Sequence, residues 1–360
     1  MQQSLPNTLD DINTEWLSQA LQNDFPGVNV RSRTVDQIIQ GTSTKAKLTL
    51  DYHDQQGNAP RSLWVKGNFT NDRQYMADLG IYTDEVRFYR DLQPELNINS
   101  PVCYYAQLDS KSQGILLLED LLAKKVEFGC GAYDVSQRSA QQIAEQLAAL
   151  HARWWQHPTL DTEFAWADDP LSDGPRGSYY HAMRQPETWS QRCMQPHALA
   201  LPRRLLDIRN IAPAMEQLMQ LHYQEPRCLL HGDPHIGNIY FEPDGTPGLY
   251  DWQCVRRGHW SHDLNYALVS SLDIADRREW EQDLLRHYLA SLEKEFSLLE
   301  KKCATPSFEE AWTAYRKQNL YGLFFWITNT EDLQPFSNNA PLANRFAIAA
   351  LDHNTLELLR

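Results

Sequence analysis

Hydrophobic positions along the chain change period several times, and each change marks an element. Ile12, Trp16, Leu17 and Leu21 recur at helical spacing. That predicts a helix over 7–21, capped by Thr8 or Asp10 and ended by Pro26-Gly27. Short apolar runs then predict strands at 28–35 and 37–40, followed by a small-polar turn, Gly41-Thr42-Ser43-Thr44-Lys45. The next strand alternates through Ala46, Leu48 and Leu50, and after a turn at 54–60 another apolar strand closes on Lys66. Helical spacing returns over 82–92, capped near Thr83, with Glu85, Phe88, Tyr89 and Leu92 on one stripe. Two more strands are predicted at 99–105 and Gly114–Glu119.

Beyond residue 121 the pattern is mainly helical. Ile143, Leu147, Leu150, His151 and Trp154 share a face of a helix over 135–155. Further helices are predicted at 215–223, from His262 onward, at 277–299 and at 308–327. Strands before helices imply an α+β chain divided into residues 1–120 and 121–360. No repeat or low-complexity segment interrupts it.

Two apolar runs, 228–230 and 239–241, flank a polar loop that carries the chemistry. In it Asp233 is followed five residues on by Asn238, and thirteen further by Asp251 at the end of a strand. Phosphoryl transfer requires an aimed nucleophile and neutralised charge, with little covalent help. Asp233 suits the role of base for a hydroxyl, while Asn238 and Asp251 offer hard oxygens to Mg²⁺. Ordinary hairpin turns also use Asn, Asp and Gly, but they do not require this whole constellation. His231, Asp233 and His235 also alternate as ligands of a transition metal do, though such a site needs further ligands elsewhere. Lys66 closes an apolar strand, where an unpaired ammonium is costly, and the inward-facing Glu85 is its natural partner. A strand Lys paired with a helix Glu is the arrangement that grips the α- and β-phosphates of a nucleotide.

His231-Gly232-Asp233-Pro234-His235-Ile236-Gly237-Asn238 resembles the HGDxHxxN motif of the aminoglycoside phosphotransferase and choline kinase superfamily, and Tyr250-Asp251-Trp252-Gln253 resembles its I-D-W-[EQ] segment. Protein kinases carry Arg where Gly232 stands. The runs at 85–89, 101–104 and 116–121 resemble the ecdysteroid-kinase-like branch, and the likeness spans roughly 41–263. It implies a bilobal protein-kinase-like fold, with a small N-terminal sheet lobe bearing one key helix and a larger helical C-terminal lobe. It also implies ATP and Mg²⁺ as cofactors, Ser43 and Thr44 in a loop over the phosphates, and Glu119 and Leu121 meeting adenine through backbone groups. His231 supports the loop in this reading, and Asp263 braces it. A nucleotide-binding pseudokinase that regulates a partner is the alternative, but it commonly lacks the base, the metal Asp or the strand Lys, and all three are present.

Charge and cysteine usage narrow the partners. A net charge of −14 over 360 residues disfavours nucleic acid and anionic membranes. Six scattered cysteines without CxxC spacing, no basic-then-apolar leader and no apolar run long enough to span a bilayer imply a cytoplasmic protein, and the kinase reading adds a small-molecule alcohol as its partner. Two stretches are candidates for the acceptor wall: the insert at 164–189 with Asp168, Asp169 and Asp173, and the aromatic helix bearing Trp312, Tyr315, Tyr321, Phe325 and Trp326. Of these, Asp169, Trp312 and Trp326 are the residues expected to touch the acceptor.

Overall fold

The computed structural model describes residues 5–53, 57–69, 80–109, 113–133, 135–167, 175–224 and 226–360. Two compact units emerge: one from residues 1–95, 100–126 and 251–254, the other from 96–99, 127–250 and 255–360. Asp251–Cys254 therefore belongs with the first unit, where a single cut at residue 120 would put it in the second.

The first unit is built on a five-stranded antiparallel sheet. Its strands are β1 (Val30–Gln40), β2 (Thr44–Tyr52), β3 (Ser62–Gly67), β4 (Cys103–Leu108) and β5 (Gly114–Glu119), in the spatial order β1-β2-β3-β5-β4. Helix α1 (Thr14–Leu21) buries Trp16, Leu17 and Leu21 in a core with Leu48, Leu50, Leu63, Val65, Ile115 and Leu117. Its N-cap is Asn13, whose side chain accepts from Trp16 N–H, so the helix starts later than the pattern predicts. Thr8 and Asp11 instead bond each other in a turn ahead of it. The two short strands expected at 28–40 form one, interrupted by a register shift between Val35 and Gln37. Strand alternation sends Leu63 and Val65 into this core and turns Lys66 to the opposite face. There it meets α2 (Ile81–Arg87), which continues as a π-helical turn, Phe88–Leu92, rather than as α-helix.

In the second unit, β6 (Glu127–Phe128), β8 (Ile239–Phe241) and β9 (Pro247–Leu249) form one small sheet, and β7 (Arg227–Leu230) pairs with β10 (Arg256–His259). Helix α3 (Gln137–Arg153) packs along the long α9 (Ile274–Leu298), and α8 (Ser261–Ser271) is buried at every residue. The insert before β7 holds α4 (Pro175–Met183), α5 (Pro186–Cys193), α6 (Pro196–Leu199) and α7 (Ile208–Leu221). The helix expected over 308–327 is two, α10 (Phe308–Lys317) and α11 (Asn319–Thr328), followed by α12 (Phe336–Asp352). At the break the Tyr315 carbonyl, which Asn319 N–H would take in a continuous helix, accepts from Gln318 N–H at 3.1 Å and from Asn265 Nδ2 of α8 at 3.0 Å. No described helix is long and apolar enough to cross a membrane.

Candidate active site

β7 delivers the chain into the loop 231–238, and every turn of that loop is fixed from behind. Asp263, fully buried at the start of α8, accepts from His231 N–H at 2.6 Å and from Gly232 N–H at 3.0 Å. His151 of α3 stands 3.2 Å from the same carboxylate and 2.8 Å from Tyr288 Oη, which makes it a hydrogen-bonded core histidine. Burial pushes the Asp263 carboxyl up, but His151, with smaller contributions from His262 and His231, lowers it further, and the pKa falls to about 2. Gly232 sits at φ +83°, a conformation a side chain would strain.

The two loop histidines carry their protons in assignable places. His231 Nδ1 accepts from Asp233 N–H, so Nε2 bears the hydrogen and donates to Tyr250 O at 3.1 Å. Its ring thus fastens the loop. His235 Nδ1 accepts from Gly237 N–H at 3.0 Å, which turns its Nε2 toward Asp233 Oδ2, 3.7 Å away. Gly237 is closed to side chains, since a Cβ there would lie 2.7 Å from the His235 ring. Asn238 Nδ2 donates to the Asp233 carbonyl at 2.8 Å and to Asp233 Oδ2 at 3.2 Å. Its Oδ1 consequently points away from Asp233. Asn238 O also accepts from Tyr250 N–H at 3.1 Å, and Asp251 is the next residue along the chain.

In the first unit, Asp251 adopts φ +65°, unusual for a residue other than glycine. Lys66 Nζ lies 2.6 Å from Glu85 Oε2 and 2.7 Å from Asp251 Oδ1, and Lys45 Nζ is 3.4 Å from Asp251 Oδ2. Burial opposes the Lys66 charge, yet the two carboxylates more than restore it and raise its pKa. Burial likewise raises Asp251, but Lys45 and Lys66 hold it well below the ordinary carboxyl range. Glu85 is raised by burial and only partly offset by Lys66. Trp252 stacks on Phe88 with ring centroids 3.7 Å apart, fixing the segment after Asp251 to the turn following α2.

Gln253 is a site residue the sequence motif contained without a role. With its amide oriented to satisfy its neighbours, Gln253 donates to Thr42 Oγ1 (2.9 Å) and Asp251 Oδ1 (3.3 Å) and accepts from Lys66 Nζ and Ser43 Oγ, both at 3.2 Å. The Ser43 hydroxyl is therefore engaged inside the protein, as is that of Thr44, which donates to Gln40 Oε1. At the end of β5, Glu119 N–H donates to Val102 O, and the Leu121 carbonyl accepts from Lys125 N–H.

A family model described as ecdysteroid kinase-like matches residues 41–301, well over half of the chain. The chain belongs to that family. The family's match takes in both the Lys66 cluster and the Asp233 loop. No curated protein matches the chain. Among solved structures, a choline kinase from Cryptosporidium parvum Iowa II is 12% identical, with a TM-score of 0.53 and 95% of each chain covered. A mutant aminoglycoside 2'-phosphotransferase-IIIa in complex with GDP is 13% identical, with a TM-score of 0.50, covering 95% of this chain and 100% of its own. At these identities the likeness is one of fold, and the fold is the kinase-like α+β one.

The residues expected at the acceptor fare differently within this family member. Trp326 of α11 is buried and edge-on to His235. Trp312 of α10 stacks on Phe308 and Tyr315 and lies edge-on to His353. Asp168, Asp169 and Asp173 lie outside the described residues. Half-buried Phe325, tilted against Tyr321 at 4.4 Å and stacked on Tyr179 at 6.2 Å, is the more accessible aromatic of α11.

Proposed function

We propose that the chain is a kinase that transfers the γ-phosphoryl group of ATP to an alcohol of a small molecule, with Asp233 as base. The Asp233–Asn238 pair carries this reading. Asn238 places its amide nitrogen against Asp233 and so presents its oxygen elsewhere, while Asp233 stays one-third exposed (33%) on a turn braced from behind. A hydroxyl brought within hydrogen-bond reach gives its proton to the Asp233 carboxylate as its oxygen bonds to the γ-phosphorus. The bond to the β,γ-bridging oxygen breaks and ADP leaves.

The first unit serves the nucleotide in this reading. Lys66, kept charged by Glu85 and Asp251, supplies the cation for the α- and β-phosphates, and the backbone of the 41–44 turn covers them. With the Glu119 N–H and the Leu121 carbonyl engaged in the fold, the Glu119 carbonyl and Leu121 N–H are the groups assigned to adenine. Asn238 Oδ1 and the Asp251 carboxylate fit Mg²⁺, since both are hard oxygen donors and the first faces away from its own hydrogen-bond partner. When bound, the ion neutralises charge on the phosphate oxygens. His231 supports the loop through its two backbone contacts and takes no proton from the acceptor.

The same fold serves a choline kinase and an aminoglycoside phosphotransferase, whose names carry small-molecule acceptors. Action in the cytoplasm is part of the proposal, supported by the cysteine spacing. The test is ADP release from ATP and Mg²⁺ across a panel of amino alcohols, aminoglycosides, sugars and sterol-like alcohols, with Asp233→Asn in parallel. An acceptor that raises ADP release in the wild type alone is expected. Equal release in both proteins, or no response to any acceptor, overturns it.

A further inference from the structure

Arg256 is a buried arginine on β10, and its place is set by backbone pairing: it stands opposite Leu230, the residue before the catalytic loop. Its Nη2 donates to the carbonyl of Gly232 and to Tyr321 Oη at 2.8 Å, and the guanidinium lies 5.0 Å from the centroid of the Tyr321 ring. The same nitrogen is 3.0 Å from His262 Nε2. An Nη2 has two hydrogens, and the two oxygens take them, so His262 Nε2 keeps its own proton and donates to Gly232 O at 3.1 Å. Burial and then the adjacent arginine push the His262 pKa down to about 3, which leaves that imidazole a neutral donor.

The Gly232 peptide is therefore gripped at both ends. Asp263 takes its N–H, and Arg256 with His262 takes its carbonyl. Gly232 is the residue before Asp233, and at φ +83° it has no steric preference of its own to hold the turn. The second hydrogen of Arg256 goes to α11, the helix whose Trp326 packs against His235.

We infer that Arg256 is a positioning residue for Asp233: it fixes the Gly232 carbonyl, and through Tyr321 it ties that peptide to the helix packed on the other side of the loop. This rests on Asp233 being the base. The arrangement places a permanently charged donor where a neutral one would let the turn relax, and it makes α11 part of the aim of the base.

The test uses Arg256→Met, Arg256→Lys and Tyr321→Phe in the full chain, with two independent readouts. Amide hydrogen exchange of the 229–241 peptide reads the grip directly and needs no acceptor. Turnover with the best acceptor, together with ATP affinity, reads its consequence. Arg256→Met should lower kcat by about 10²-fold, the scale of a displacement near 1 Å, with ATP affinity unchanged and loop amides exchanging faster. Lysine can supply one donor to Gly232 O and should recover part of the loss. Tyr321→Phe, which removes only the hydroxyl, should lower kcat by less and speed the same amides. Unchanged loop exchange and kcat in folded Arg256→Met overturn the inference. Should that variant fail to fold, wild-type exchange and kcat in both Arg256→Lys and Tyr321→Phe overturn it equally. Absence of phosphoryl transfer by the wild type would instead remove the kinase reading, and loop exchange would still decide whether Arg256 holds the turn.

Discussion

Trp326 lies edge-on to His235, with ring centroids 5.2 Å apart at 89°, and His235 in turn faces Asp233. The contact puts α11 against the 231–238 loop and makes the tryptophan a packing residue of that loop. Trp326→Ala should cost about 3–5 kcal/mol of stability, as buried aromatics do. Trp326→Phe keeps part of the ring and should fold. Its acceptor KM should rise while its ATP KM stays unchanged. Trp312→Ala is the control, expected to lower the melting temperature without touching either KM. A Trp326→Phe enzyme with wild-type acceptor KM would remove α11 from the acceptor wall.

Asp233→Asn keeps the shape of the loop residue and removes the proton acceptor. Turnover should fall by about 10²- to 10⁴-fold with ATP binding nearly intact. Steady-state ADP release together with calorimetric ATP titration measures both. Turnover within a few-fold of wild type would take the base role from Asp233.

Asp251→Asn tests the metal side. Asparagine tolerates the left-handed backbone at this position, so the change is mainly one of charge. Mg²⁺ should tighten ATP in the wild type and do so far less in the variant, because the ionised oxygens are gone. Equal Mg²⁺ dependence in titrations of the two proteins would contradict the assignment.

Acid should destabilise the second unit before any carboxylate titrates. Burial, followed by neighbouring positive charge, pushes His259 and His262 from an ordinary 6.5 down to about 3. Between those values the unfolded chain binds protons that the native chain does not, so stability is present above 6.5 and is lost as pH falls. The slope is about 1.4 kcal/mol per pH unit for each group. Asp263, lowered to about 2, adds to the loss below about pH 4. Urea midpoints should drop between pH 7 and 5.5, and His259→Gln should flatten the slope. A pH-independent midpoint over that range would show that these imidazoles are not buried neutral.

Local pattern carried most of the fold. The strands that build the first sheet and the helices α3 and α9 follow from periodicity because burial on one face dictates it. The Lys66–Glu85 pair was legible because an ammonium at the end of an apolar strand demands a partner, and one inward-facing carboxylate was at hand. What escaped were arrangements set by residues far away in sequence. At the break between α10 and α11 the Tyr315 carbonyl is met by Asn265, fifty residues upstream. Gln253 and Arg256 had no periodic signature, since their roles depend on which loop faces them across the fold.

The two ammonium groups on Asp251 bear on the order in which ligands arrive. A carboxylate neutralised by Lys66 and Lys45 is a poor trap for a free divalent cation, which must compete with charges already in place. A polyphosphate offers both lysines new partners and releases the carboxylate oxygens at the same moment. Under the proposed function, metal and nucleotide therefore load together: Mg²⁺ alone binds weakly, and each makes the other tighter, as linkage requires.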